Sequence, residues 1–483
     1  MRVLENLEPA KVFYYFEEIS KIPHISHHEQ ELSNYCVSFA KERNLTYEQD
    51  AMGNVLIFSP ATAGYEDIEP IMIQGHLDMV GAKTASCSLN LERDGLDLFI
   101  DGDFIHARGT TLGGDDGIAV AYALALLDSE DIPHPRLEIL LTVCEEVGLL
   151  GAAAVDLSSC SARKLINLDC ESEGVFVAGC AGGRRVIGNI PLQRSMKTGI
   201  YVKASISGLL GGHSGGDIQK GRGNAIRLMG RFLLMLHDKF SYGLIDLSGG
   251  EKDNVIPGEC SASLIVHPRN LDALQETAAE FEAAMASEYG TSDPNIQLSL
   301  ICDTDEEETE FILTSFSLEK VLTILNLMPN GIASMSADLP GLVETSCNIG
   351  VVSLEEETMR FRISVRSSLP SGKEMLSSKI RHLTKMADGD CFFEGDYPAW
   401  SFQKNSPFRD TCLSIYKEMF QKDASIEIIH GGLECGILSN KLPGLDCISF
   451  GPDIFDVHSV KERMCISSVQ RMWEYLKAVL AAK

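Results

Sequence analysis

Five short stretches of this sequence carry side chains able to bind divalent cations or move protons. They are QGHLDMV with His76 and Asp78, GTTLGGDDG with Asp115 and Asp116, TVCEEVG with Glu145 and Glu146, INLDCE with Asp169, and FGPDIFDVHSV with His458. Two imidazoles from distant segments with at least three carboxylates form a hard and borderline donor set that suits Zn²⁺, Mn²⁺ or Co²⁺. A carboxylate can offer one oxygen to each of two ions, so a two-metal site with the ions roughly 3.5 to 4 Å apart is feasible. Glu145 and Glu146 are neighbours, and on an extended backbone neighbouring side chains point to opposite sides. One is therefore expected to bind metal and the other to handle protons. Asp115 and Asp116 sit in a glycine-rich turn before a helix, where either could cap the helix while the other reaches a sheet edge.

The elements that must position these groups are legible in the apolar runs. NVLIFSPA, EPIMIQGHLD, RLEILLTVCEE and KLINLDC contain nearly continuous apolar stretches, which suit strands covered on both faces. GIAVAYALALLDSE between them reads as a helix, and the whole as an α/β sheet. His76, Asp78, the Glu145–Glu146 pair, Asp169 and His458 all fall at or beyond strand C-termini, the edge of an open α/β sheet where ligands gather. SHHEQELSNYCVSFAKERN reads as another helix, with Ser26 and Glu29 at capping-box spacing and with His27 and His28 as structural residues, because HHEQE lacks the second histidine of a His-Glu-x-x-His motif. After about residue 186 the texture changes to alternating strands such as GIYVKASISG and ECSASLIVHP, each followed by a helix. The α/β texture resumes near residue 397. The chain is thus expected to hold a first domain in two parts, residues 1–186 and 397–483, and an α+β domain inserted at residues 187–396.

The chain has 483 residues, 45% of them hydrophobic and 23% charged, the balance of a soluble globular protein of several domains. No run of 18 apolar residues is present to span a bilayer, so no membrane association is expected. The acidic N-terminal stretch lacks a signal-peptide pattern, which points to the cytoplasm. The 14 cysteines are scattered and none forms Cys-x-x-Cys, as expected of reduced thiols. A formal net charge of −28 argues against nucleic acid as a partner and means that a cluster of carboxylates needs a counter-charge, for which a divalent metal is a candidate. Glycine-rich nucleotide-binding loops are absent after the relevant strands.

In combination, GHLDMV, GTTLGGDDG, TVCEEVGLLGA, INLDCE and FGPDIFDVHS resemble the successive metal-site motifs of the co-catalytic metallopeptidases related to carboxypeptidase G and aminoacylase. GNVLI, QGHLDMV, GGEKDNVIP and GGLECGIL resemble in particular the Xaa-His dipeptidase, carnosinase-like branch. The likeness runs over almost the whole chain. It implies a zinc-peptidase-like mixed sheet flanked by helices, an inserted lid domain, and hydrolysis of dipeptides by a metal-bridging water. It implies two divalent ions, zinc or alternatively cobalt or manganese: His76 and Asp169 would bind one, Glu146 and His458 the other, and Asp115 both. Glu145 would be the general base and Asp78 would stand behind His76 to fix its tautomer. His213, Asn254 and Arg366 of the insert would engage the substrate, Arg366 through a peptide carboxylate. A homodimer through the lid domain is expected as well. Asp116, Val147 and Val460 depart from the Asn, Thr and Pro frequent in close relatives. The alternatives are an aminoacylase-type amidohydrolase of N-acyl amino acids and a non-catalytic ligand-binding relative.

Overall fold

Strands Ile71–His76 and Leu137–Thr142 are buried at every position, as unbroken apolar runs predict for strands with both faces covered. The computed structural model that shows this describes residues 2–302, 306–337 and 339–483. It divides into two units: Met1–Cys180 with Phe402–Ile428 and Leu433–Lys483, and Ala181–Ser401 with Ile429–Gly432.

The first unit is built on an eight-stranded sheet. Thr46–Gln49, Val55–Ser59, Leu137–Thr142, Ile71–His76, Lys164–Asn167, Asp446–Ser449, Val175–Cys180 and Ser425–Ile429 lie side by side in that order. Leu137–Thr142, Ile71–His76, Lys164–Asn167 and Asp446–Ser449 run parallel to one another, and antiparallel strands flank them. The four parallel strands therefore share one carboxyl edge. Helix Gly114–Leu127, GDDGIAVAYALALL, packs on Ile71–His76 and is buried from Gly114 through Leu126, as a helix apolar on every face must be. Its close approach uses Gly75: a Cβ there would lie 2.5 Å from Ala119 Cβ and 2.7 Å from Asp116 Oδ2.

The second unit is α+β. Ten strands, antiparallel in their pairings, form a sheet, and helices Ala225–Lys239, Leu271–Tyr289, Ser315–Leu327 and Pro370–Met386 share a second apolar core with it. Burial in Arg194–Ser207 alternates along much of the strand, the period expected where one face meets the core. Strand Gly182–Pro191 pairs with Thr358–Ser367 and Asp390–Tyr397, which places it in this unit. The short segment Ile429–Gly432 also belongs here: Ala181 N donates to Ile429 O, and His430 Nε2 lies 2.7 Å from Ser346 Oγ. His430 is pushed down from 6.5 to about 4, by burial first and then by the charge of Arg366.

Two stability measurements check this packing. Gly75→Ala should lower stability by about 1–3 kcal/mol, read as a lower urea midpoint with an unchanged slope, because the added methyl has no room against Ala119 and Asp116. His430 has a folded pKa below its unfolded one, so the unfolded chain binds the extra proton. Its contribution is complete above pH 6.5 and is lost as pH falls toward 4, by up to about 3 kcal/mol. In His430→Gln, that part of the pH dependence of the urea midpoint should vanish.

Candidate active site

Four backbone segments leaving the parallel strands, and the loop before helix Gly114–Leu127, converge at the carboxyl edge of the first unit. His76 ends its strand, 1% exposed, and its Nδ1 lies 2.9 Å from the carbonyl oxygen of Asp78. An N–H directed from Nδ1 to that oxygen turns Nε2 toward the site. His76 Nε2 is 3.1 Å from Asp115 Oδ1 and 3.7 Å from Asp169 Oδ1. His458 Nε2 is 3.0 Å from the other oxygen of the same carboxylate, Asp115 Oδ2, and 2.9 Å from Glu146 Oε1. Asp115 thus stands between two imidazoles with one oxygen toward each. Glu146 Oε1 is buried without a partner in hydrogen-bond geometry, although it lies at ion-pair distance from His458. Among the described residues, three overlapping donor groups each bring their own ligand atoms within 4.8 Å of one another: His76–Asp116–Asp169, His76–Glu145–Glu146 and Asp115–Glu146–His458.

Electrostatics follow from burying so many carboxylates. Burial works against charge on His76, yet the surrounding carboxylates of Asp115, Asp169 and Asp78 hold its pKa well above the ordinary value. His458 is raised to about 11 by hydrogen bonds with Asp115 and Glu146. Burial pushes Asp169 up to about 6, and it pushes Glu145 well above the carboxylate range, with Asp169, Glu434 and Glu146 adding to the rise.

Asp78 lies on the Nδ1 side of the His76 ring. Its backbone carbonyl, not its carboxylate, takes the His76 ring N–H, and the carboxylate stays 3.6 Å from Nδ1. Its oxygens instead accept from Glu145 N (2.9 Å), Glu146 N (3.2 Å) and Ser26 Oγ (2.8 Å). A carboxylate has room for several donors, and these three anchor the turn that carries the two glutamates. The capping box is overturned for the same reason. Ser26 serves Asp78, Glu29 accepts from Cys144 N (3.0 Å), and helix Gln30–Glu42 begins without a side-chain cap. Neither Asp115 nor Asp116 caps the helix beside it either: Asp116 Oδ2 accepts from His76 N (3.2 Å). His27 lies near Cys144 Sγ and His28 near Glu92, and neither joins a donor group.

His213, Asn254 and Arg366 lie in the second unit. Arg366 is 8% exposed; its Nη1 donates to the Tyr397 hydroxyl (3.1 Å), its Nη2 lies 3.4 Å from His213 Nε2, and its Nε has no hydrogen-bond partner. Asn254 stands in an exposed turn, and its carbonyl accepts from Ser214 N beside His213 (2.8 Å).

Sequence reasoning missed Glu434 and Glu462. Glu434 is fully buried beneath the strands. It accepts from Thr142 Oγ1 (2.6 Å) and from Gln74 Nε2, whose Oε1 takes Asn167 Nδ2 (2.7 Å). Glu462 binds backbone N–H groups of the Asp115 loop. Neither has a spacing signature, because their partners are distant in sequence and are mostly buried amides or the backbone itself.

The peptidase dimerisation domain family matches residues 204–293. The cytosol non-specific dipeptidase of Escherichia coli is 38% identical over 482 residues, covering 99% of each chain. The solved aminoacylhistidine dipeptidase of Vibrio alginolyticus superposes with a TM-score of 0.88 at 33% identity, over 99% of this chain and 97% of that one. The aminopeptidase PepT of Bacillus cereus shares the fold at 14% identity and a TM-score of 0.57, over 98% of each chain. With the likeness to the two dipeptidases running the full length of the chain, this protein belongs to the M20 family of metallopeptidases.

Proposed function

We propose that this protein is a cytoplasmic dipeptidase whose site holds two divalent metal ions. The observation that carries the reading is the Asp115 carboxylate, with His76 Nε2 3.1 Å from one oxygen and His458 Nε2 3.0 Å from the other. The donor chemistry fits: with Nδ1 on the Asp78 carbonyl, His76 turns Nε2 to the site, and Glu146 Oε1 is a buried anionic oxygen beside His458 Nε2 at 2.9 Å, where a cation would be favoured. His76 and Asp169 are assigned to one ion, Glu146 and His458 to the other, and Asp115 to both, with zinc as the first candidate metal. When bound, the pair would supply the positive charge that acidifies water and polarises a carbonyl.

Glu145 is assigned the proton transfers. Burial and neighbouring carboxylates raise its pKa, which suits a carboxylate that takes a proton from the attacking water and returns it to the leaving amine. Asp78 holds the backbone N–H groups of Glu145 and Glu146, so it sets where both carboxylates stand. The second unit is assigned the role of lid. Arg366 supplies the cation for the peptide's C-terminal carboxylate, His213 a donor to the developing oxyanion, and Asn254 a further substrate contact. Two full-length relatives named as dipeptidases support this substrate class over N-acyl amino acids. The dimerisation-domain match supports a homodimer formed through the second unit.

Glu145→Ala should retain metal, measured by elemental analysis, while dipeptide turnover falls about 10²- to 10⁴-fold; unchanged hydrolysis would remove Glu145 from the mechanism. Arg366→Lys keeps the charge but loses the planar fork. It should lower kcat/KM for dipeptides about 10- to 100-fold, and amidated dipeptides should lose far less. Faster cleavage of N-acetyl amino acids than of dipeptides by the wild type would replace the dipeptidase reading with the aminoacylase one.

A further inference from the structure

The loop that presents Asp115 enters its helix without a cap of its own. Gly113 stands at the cap position in the left-handed region (φ 67°), and Asp115 (φ −84°, ψ 105°) and Asp116 (φ −117°, ψ 30°) leave helical geometry. The N–H groups of a helix entrance have no intrahelical partners and must find others. Glu462, 3% exposed and 347 residues from Asp115, takes four in succession. Its Oε2 accepts from Leu112 N (2.8 Å) and Gly113 N (3.1 Å), and its Oε1 accepts from Gly114 N (2.8 Å) and Asp115 N (3.4 Å).

The same glutamate ends the turn that follows His458, where Glu462 N donates to Ser459 O (3.1 Å). One carboxylate therefore ties the segment carrying His458 to the loop carrying Asp115. Those are the two residues whose side chains meet at 3.0 Å, while the other oxygen of Asp115 faces His76 at 3.1 Å. A carboxylate shared between two imidazoles tolerates little rotation of its own backbone, because a shift toward one nitrogen is a shift away from the other.

We propose that Glu462 is a positioning residue of the two-metal site: it fixes the backbone of Asp115 against that of His458, so that the shared carboxylate is set before any ion arrives. The inference rests on the two-metal reading above. A helix cap alone would act on stability equally with and without metal. A positioning role acts on metal affinity.

The test uses full-length protein stripped with a chelator and titrated with Zn²⁺ by calorimetry against a competing chelator. In Glu462→Gln one oxygen becomes an NH₂ that faces N–H donors, so about half of the clamp is lost. The weaker of the two binding steps should lose 10- to 100-fold in affinity, the range typical for groups that orient metal ligands. Wild-type affinity for both ions in the variant would overturn the proposal. Should the variant fail to fold, the wild type decides through amide hydrogen exchange of the Leu112–Asp115 segment. Equal protection in stripped and zinc-loaded protein is expected, and protection that appears only with zinc would overturn the proposal, since the ion would then be ordering the loop. Neither readout involves a peptide. A protein that binds two ions with an affinity that depends on Glu462, yet cleaves no dipeptide, would sink the dipeptidase reading and leave this one standing.

Discussion

Crowding of negative charge at one sheet edge is the constraint on which the rest of the first unit depends. In a chain of net charge −28, Asp78, Asp115, Asp116, Glu145, Glu146, Asp169, Glu171 and Glu434 all contribute to that region. Two like charges 4 Å apart repel by about 4 kcal/mol at the effective dielectric of a protein surface, so each carboxylate needs an answer. The structure gives three. Asp78 is lowered despite burial by the His76 ring, the backbone N–H of Glu145 and the Ser26 hydroxyl. Asp115 is held low against burial by His458 and His76. Asp169, Glu434 and Glu171, whose compensation is weaker, are pushed by burial to about 6, 7 and 8. Divalent cations would answer the residue of this repulsion, which is why the donor set and the electrostatics point the same way.

Carboxylates of one chemical type accordingly divide into those that face the site and those that hold its backbone. Asp78, Glu29 and Glu462 spend their oxygens on N–H groups of Glu145, Glu146, Cys144 and residues 112–115. Asp115, Glu146 and Asp169 are left with oxygens toward imidazoles. The holders come from before the first strand, from the end of the His76 strand and from the C-terminal turn, so residues remote in sequence fix the Glu145–Glu146 turn and the Asp115 loop.

The parts of this arrangement that were legible in the sequence are those that repeat or stay local. Continuous apolar runs marked strands buried on both faces, and the order of His76, Asp115, Glu146, Asp169 and His458 along them matched a sheet edge that the fold brings together. The holders were not legible. Ser26 and Glu29 have capping-box spacing, yet tertiary partners outbid the local ones because a buried amide such as Cys144 N has no water to turn to. Glu462 was hidden for the opposite reason: its donors are backbone groups, which any residue type supplies, so nothing at residues 112–115 announces a need for glutamate.

Buried polar atoms without partners carry the same logic into both units. Such atoms are rare enough in folded proteins that each calls for a reason, but orphan status alone does not select a ligand site, since Arg409 Nε and His237 Nδ1 share it. What separates Glu146 Oε1 and Arg366 Nε is the sign of their company. Glu146 Oε1 is an anionic oxygen among other carboxylates and an imidazole, an environment that favours a cation. Arg366 Nε belongs to a buried guanidinium whose neighbours include a hydroxyl and the imidazoles of His213 and His430, an environment that favours an anion. His430 sharpens the contrast, because the positive charge of Arg366 beside it helps to keep its ring neutral at pH 7. Each unit thus holds a buried group whose surroundings favour the opposite charge, a cation at Glu146 and an anion at Arg366.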